Sequence, residues 1–262
     1  MAFPHTVYGS YGDEKTVSAN KIGGLPLGTR MELPDGRVFR HARASATALV
    51  AGKLYQGVSR VADTMYEDQL VTGSAAVGAT VLTITAGGTT AVATDFYDDG
   101  YIYTASSAGS GVGEVYKIKS AASAATGSSC VVTLYSSDDL KTLVAGGTTK
   151  TGMSPNEYNE VLLTTANTVR VAPIAGVPTT AVAASNYCWI QRRGPVAAFA
   201  SGTVMITGVA VAANTNAAGN FGPWFAAASA NNLSWVTEQT LGYAMNVAGT
   251  AENFSLVNLT LE

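Results

Sequence analysis

Residues 31–56 read MELPDGRVFRHARASATALVAGKLYQ. Leu33 leads into Pro34, Asp35 and Gly36, where proline presets φ, aspartate bonds its own backbone and glycine accepts a positive φ. The alternating Arg37-Val38-Phe39-Arg40-His41 follows. This predicts a strand, a tight turn and a second strand. Arg37, Phe39 and His41 share one face of the second strand, and Val38, Arg40 and Ala42 share the other, so both faces mix charge with apolar surface. Two readings are open. The hairpin is exposed and its arginines are solvated, or Arg37, Arg40 and Arg43 form a docking surface for an acidic partner. In the second case added salt should weaken the contact.

The chain has 262 residues, 47% of them hydrophobic and 13% charged, which suits an ordered protein with one or two full cores. A formal net charge of −3 and a pI near 5.4 remove the electrostatic argument for general nucleic-acid binding. No apolar run is long enough for a membrane span. The N-terminal MAFPHTVYGSYGDE lacks the positive start and apolar centre of a signal peptide, so the chain reads as made in the cytoplasm, with no membrane partner. Cys130 and Cys188 lie in strand-like runs and read as two buried thiols. His5 and His41 have no cysteine or carboxylate spacing that would hold a metal, and neither completes a nucleophile–base pair. The expectation is therefore no metal, no cofactor and no catalytic residue, and a protein that is not an enzyme.

Residues 1–30 read as an extended arm. Phe3, Tyr8 and Tyr11 stand among glycines and prolines that support neither helix nor strand periodicity, so either the aromatics anchor the arm on a neighbouring surface or the segment is a frayed terminus. Val58–Asp68 carries apolar residues at helical spacing, a short helix at most. From Gln69 onward the pattern turns to period two. Thr80–Thr85, Gly100–Thr104, Gly113–Lys119 and Val131–Tyr135 all read as strands, with Tyr116 and Ile118 facing inward. The loop around Gly109–Gly113 lacks the lysine and the following helix of a phosphate-binding loop. The aspartates at 95, 98, 99, 138 and 139 lack calcium-loop spacing and read as turn residues. Short strands continue through Val161–Thr164, Thr168–Ala172 and Thr180–Val182. Turns about every ten residues are the rhythm of sandwiches and barrels. The fold class expected is all-β, a sandwich or barrel of short antiparallel strands with an extended N-terminal arm and at most one or two short helices. A first part over 31–150 and a second over 151–262 would be two β domains or the halves of one, with a boundary near Gly146–Pro155.

In the last third, Asn186–Gln191, a turn at Arg192-Arg193-Gly194-Pro195, Val196-Ala197, Val204–Val211, Gly242–Met245 and Phe254–Leu261 together resemble the closing sheet of tailed-phage capsid decoration, or cement, proteins. Pro34–Arg40 followed by Ala48–Leu54 is similar to the N-terminal part of phage structural proteins. The resemblance covers about half the chain, which is longer than a minimal decoration domain. It implies a virion protein on the capsid exterior that bridges capsomers, with the major capsid protein and further copies of itself, as a trimer for example, as partners. Ala212–Ala230, rich in asparagine and carrying Phe221, Trp224 and Phe225, reads as an interface or an exposed tip. A head or tail fibre-like protein that binds host glycan through exposed aromatics such as Trp224 and Trp235 is the alternative. A glycan hydrolase would need a pair of opposed carboxylates, and the glutamates at 114, 157, 160 and 238 show no such spacing.

Overall fold

The computed structural model describes residues 6–58, 69–87, 91–105, 111–165, 172–200, 205–214, 217–224, 239–246 and 254–262. Over these the protein is nearly all-β, with helix confined to two three-residue 3₁₀ turns, Asp13–Lys15 and Ile22–Gly24. The expected helix lies almost wholly outside the described residues, as do His5 and the strand expected at Thr168–Ala172.

The strands in chain order begin with β1 (Thr6–Tyr8), β2 (Arg30–Glu32), β3 (Val38–Arg43) and β4 (Tyr55–Gln56). Next come β5 (Gln69–Leu70), β6 (Val81–Thr85), β7 (Tyr101–Thr104), β8 (Val115–Ala121), β9 (Ser129–Leu134) and β10 (Lys150–Ser154). The last group is β11 (Leu162–Leu163), β12 (Ile174–Pro178), β13 (Tyr187–Phe199), β14 (Ala210–Ala213), β15 (Phe221–Pro223), β16 (Gly242–Ala244) and β17 (Phe254–Thr260).

The chain forms two units, and they are nested rather than sequential. One takes the residues up to Val58 and resumes at Glu157, and the other is Ser59–Asn156. The chain crosses between the units twice. The two crossing points are adjacent, since a Cβ placed on Gly57 would lie 2.8 Å from the Glu157 carbonyl oxygen.

In the inserted unit the sheet order is β5-β10-β7-β8-β9-β6. Val71 bridges antiparallel to Ile84, and Thr72 N–H donates to Thr83 O at 2.9 Å, so the two end strands meet in a near-closed barrel. The alternation is the cause of the fold. Leu82 and Ile84, Tyr116 and Ile118, and Cys130, Val132 and Leu134 all point into one core with Tyr97 and Met153. Outside stand Val81, Val115 and Val131.

In the other unit β1-β2-β3-β13-β17-β16-β14-β15 run side by side, and β4, β11 and β12 form an annex on β13. The hairpin forms as the sequence predicts. Gly36 N–H donates to Leu33 O at 2.9 Å, Gly36 sits at φ 80°, and Met31 pairs with Phe39. It is not exposed, however. β3 is flanked by β2 and β13, and Val38, Phe39, His41 and Ala42 are all fully buried, with Ala42 in one core cluster with Leu27, Leu49 and Val161 and Phe39 in another with Met31, Leu33 and Trp189.

Two further expectations change. No turn occurs at Arg192–Pro195. β13 runs through it for thirteen residues, with a bulge between Gln191 and Arg193 and with Gly194 at φ 88°. The Gln191 amide braces the bulge by donating from Nε2 to the carbonyls of Arg193 (3.0 Å) and Pro195 (2.9 Å). The segment after Ala212, expected as an asparagine-rich aromatic loop, is a strand in part. β15 pairs with β14, and Ala200 bridges to Phe221, which brings β15 back beside the end of β13. Phe221 is fully buried there with Val196, Val211, Ala244, Val257 and Leu259.

Candidate interaction surface

The arginines of the hairpin are committed within their own unit. Arg37 Nε donates to Asp35 at 2.7 Å and its Nη2 lies 3.8 Å from the buried Glu14 carboxylate. Slight burial pushes the Asp35 carboxyl upward, but the hydrogen bonds from Arg37 outweigh it and hold it below the usual carboxylate value. Arg40 Nε lies 2.5 Å from Glu262 and its Nη1 donates to Gly28 O at 2.8 Å. Burial opposes the charge on Arg40, and Glu262 more than restores it, so its pKa is raised. The guanidinium of Arg43 lies over the Tyr187 ring at 5.8 Å, and its Nε is buried without a hydrogen-bond partner. The three arginines do not converge on one exposed patch.

The N-terminal segment is extended, and from Thr6 onward it follows its own sheet. β1 runs parallel to β2, Ser18 pairs with Tyr187, and Gly28 N–H donates to His41 O at 2.8 Å. His41 accepts the Ile22 N–H on Nε2 at 3.3 Å and faces Pro26 O with Nδ1 at 3.2 Å, between the rings of Tyr187 and Trp189. Leu27 is buried in the core. Tyr8 and Tyr11 point outward, at 83% and 64% exposure. Phe3 and Phe225 lie outside the described residues, as does Trp235.

An apolar face emerges on the outer side of β13, β17, β16, β14 and β15. Cross-strand register defines it row by row. Ala210, Tyr243, Asn258 and Pro195 stand opposite one another, and Trp224 N–H donates to Ala210 O at 2.8 Å. In the next outward row Leu256 faces Ala197, and Met245 N–H donates to Leu256 O at 2.8 Å. Phe254 pairs with Phe199 in the row beyond, their rings edge to face at 5.4 Å. Trp224, Tyr243, Met245, Leu256 and Phe254 are between 38% and 53% exposed. The intervening Ser255, Val257 and Leu259 are buried. Charge stands at the two ends, with Arg193 opposite Thr260 and Lys53 Nζ 5.3 Å from the centre of the Phe199 ring. Next to the face is a cleft of about 150 Å³ lined by Phe254, Pro195, Gly52, Thr179, Arg37 and Gln191 among others.

No family model, no curated protein and no solved structure matches this chain.

Among the described residues that the sequence singles out for an interface, only Trp224 belongs to this face. Phe254 and Leu256 were legible in one respect, since Phe254–Leu261 carries apolar side chains at both parities where a half-exposed strand would alternate with polar ones, whereas nothing in Gly242–Met245 marks Tyr243 and Met245. Elsewhere several turn aspartates are engaged locally. Asp99 accepts the Tyr135 hydroxyl, Asp138 accepts Lys117 N–H at 2.5 Å and Asp139 pairs with Lys141. Among the described residues no three His, Cys, Asp or Glu side chains are grouped as metal ligands.

Proposed function

We propose that the chain is a structural virion protein that binds the outside of an assembled phage head and stabilises it by bridging capsomers. The observation that carries this reading is the outward apolar face centred on Tyr243 and Leu256. Exposed apolar surface of this kind marks contact with another macromolecule. Aromatic side chains on a rigid sheet supply contact area at low entropic cost. The resemblance of Pro34–Arg40 and of the C-terminal strands to decoration proteins points the same way. In this reading the major capsid protein is the partner, further copies of the chain associate beside it as a trimer, and the protein works on the capsid exterior through buried area rather than turnover.

Mixing the protein with assembled, undecorated heads and pelleting them tests the proposal. Co-sedimentation that saturates at a fixed ratio to the major capsid protein is the expected result. A protein left wholly in the supernatant at every concentration, beside heads that pellet, would refute it.

A further inference from the structure

Resting on the head-binding reading, we infer that the face formed by Trp224, Tyr243, Met245, Leu256 and Phe254 is the surface that docks on the assembled head, and that it takes a partner surface with an apolar centre and acidic margins. The charge pattern argues for that chemistry. The described rows of the face carry no charged side chain, and the groups at its two ends, Arg193 and Lys53, are both cationic. A two-fold contact between copies would use the same patch on both sides and, among the described residues of the face, would bring no acidic group to either cation. A partner with carboxylates flanking an apolar strip satisfies both ends at once.

Area argues against a free dimer as well. Five side chains about half exposed offer roughly 400 to 500 Å² on the scale of aromatic burial, against about 800 Å² per partner in a stable pairwise interface. One such contact is weak. It becomes stable where the partner is presented in many fixed copies and the chain meets more than one of them, since the second contact then forms at high effective concentration. The face therefore discriminates assembled heads from unassembled capsid protein.

The test uses the full chain with Tyr243→Ser and Leu256→Asn combined, and separately Lys53→Gln combined with Arg193→Gln. All four side chains are at least partly exposed, and an unchanged unfolding midpoint by tryptophan fluorescence shows that each variant is folded. Co-sedimentation with undecorated heads and sedimentation of the free protein are measured for each. The apolar pair should weaken head binding at least about tenfold and leave the mass of the free protein as it was. The cation pair should flatten the salt dependence of binding. Wild-type protein should bind assembled heads far more tightly than unassembled capsid protein. If wild type binds heads and the apolar pair binds them equally well, this surface is not the docking face while the head-binding reading stands. If the apolar pair lowers the mass of the free protein, the occupant is a second copy and the inference is overturned. If wild type itself fails to bind heads, the head-binding reading fails and this inference with it.

Discussion

Arg40 and Glu262 are 222 positions apart, and the Nε of one lies 2.5 Å from the Oε1 of the other. The same carboxylate lies 3.5 Å from Arg30 Nε and 3.5 Å from Arg192 Nε. Strands β2, β3 and β13 thus each contribute a guanidinium to one anion. Both Arg40 and Glu262 are less than a third exposed, so the pair is screened less than a surface ion pair. Glu262→Gln should lower stability by about 1 kcal/mol. A double-mutant cycle with Arg40→Ala in urea should return most of that as coupling energy, and zero coupling would show that the pair contributes nothing.

Leu27 and His41 fasten the N-terminal segment to the sheet. A free arm could be removed without effect on the core, but Leu27→Ala should cost about 3 kcal/mol, as for other buried leucines. All three tryptophans, at 189, 224 and 235, fall in the unit formed with Glu157–Glu262, so tryptophan fluorescence reads that unit alone. A Leu27→Ala midpoint equal to wild type would return the segment to the status of a loose arm.

Gly57 and Glu157 touch where the chain leaves and re-enters the larger unit. Replacing 59–156 by a linker of a few glycines should therefore leave a folded protein with native tryptophan emission, because the closure entropy of so short a bridge is small. Loss of cooperative unfolding in that variant would show that the larger unit depends on the inserted one.

Gly242 and Gly36 separate steric from conformational need. Both have positive φ, 153° and 80°. A Cβ at Gly242 would lie 1.9 Å from Asn258 O, whereas one at Gly36 meets nothing within 4 Å. Gly36→Ala should cost about 1 kcal/mol and Gly242→Ala about 3 kcal/mol or more. Urea midpoints of the two variants decide it, and equal losses would rule out the close contact of β16 with β17.

Cys188 is buried and its thiol is pushed by desolvation from 9.0 up to about 12. The folded state therefore keeps a proton that the unfolded state releases. Its contribution is fully present below pH 9 and is lost as pH rises from about 9 toward 12. Cys188→Ala should flatten that part of the stability profile, and a slope unchanged by the substitution would assign it elsewhere. A thiol reagent at pH 8 should leave native Cys130 and Cys188 unmodified and label both in urea.

Local pattern was enough for much of this fold. Pro34-Asp35-Gly36 specified its turn, and the patterns of Thr80–Thr85, Gly113–Lys119 and Val131–Tyr135 specified strands, with the inward face legible at Tyr116 and Ile118, because φ/ψ preference and side-chain parity act within a few residues. Parity misleads where both faces are covered. Val38–Arg43 mixes charge and apolar residues on each face, so an exposed hairpin and a central strand read alike until β13 is known to lie beside it. Arg192-Arg193-Gly194-Pro195 has turn composition, yet the pairing of β13 with β3 and β17 carries the strand through as a bulge. Only the tertiary structure decided that 59–156 is an insertion, that Phe221 faces inward while Trp224 faces outward, and that Glu262 closes on Arg40. Each depends on which distant strands meet, and that choice is made by burial of whole sheet faces rather than by any neighbouring residue.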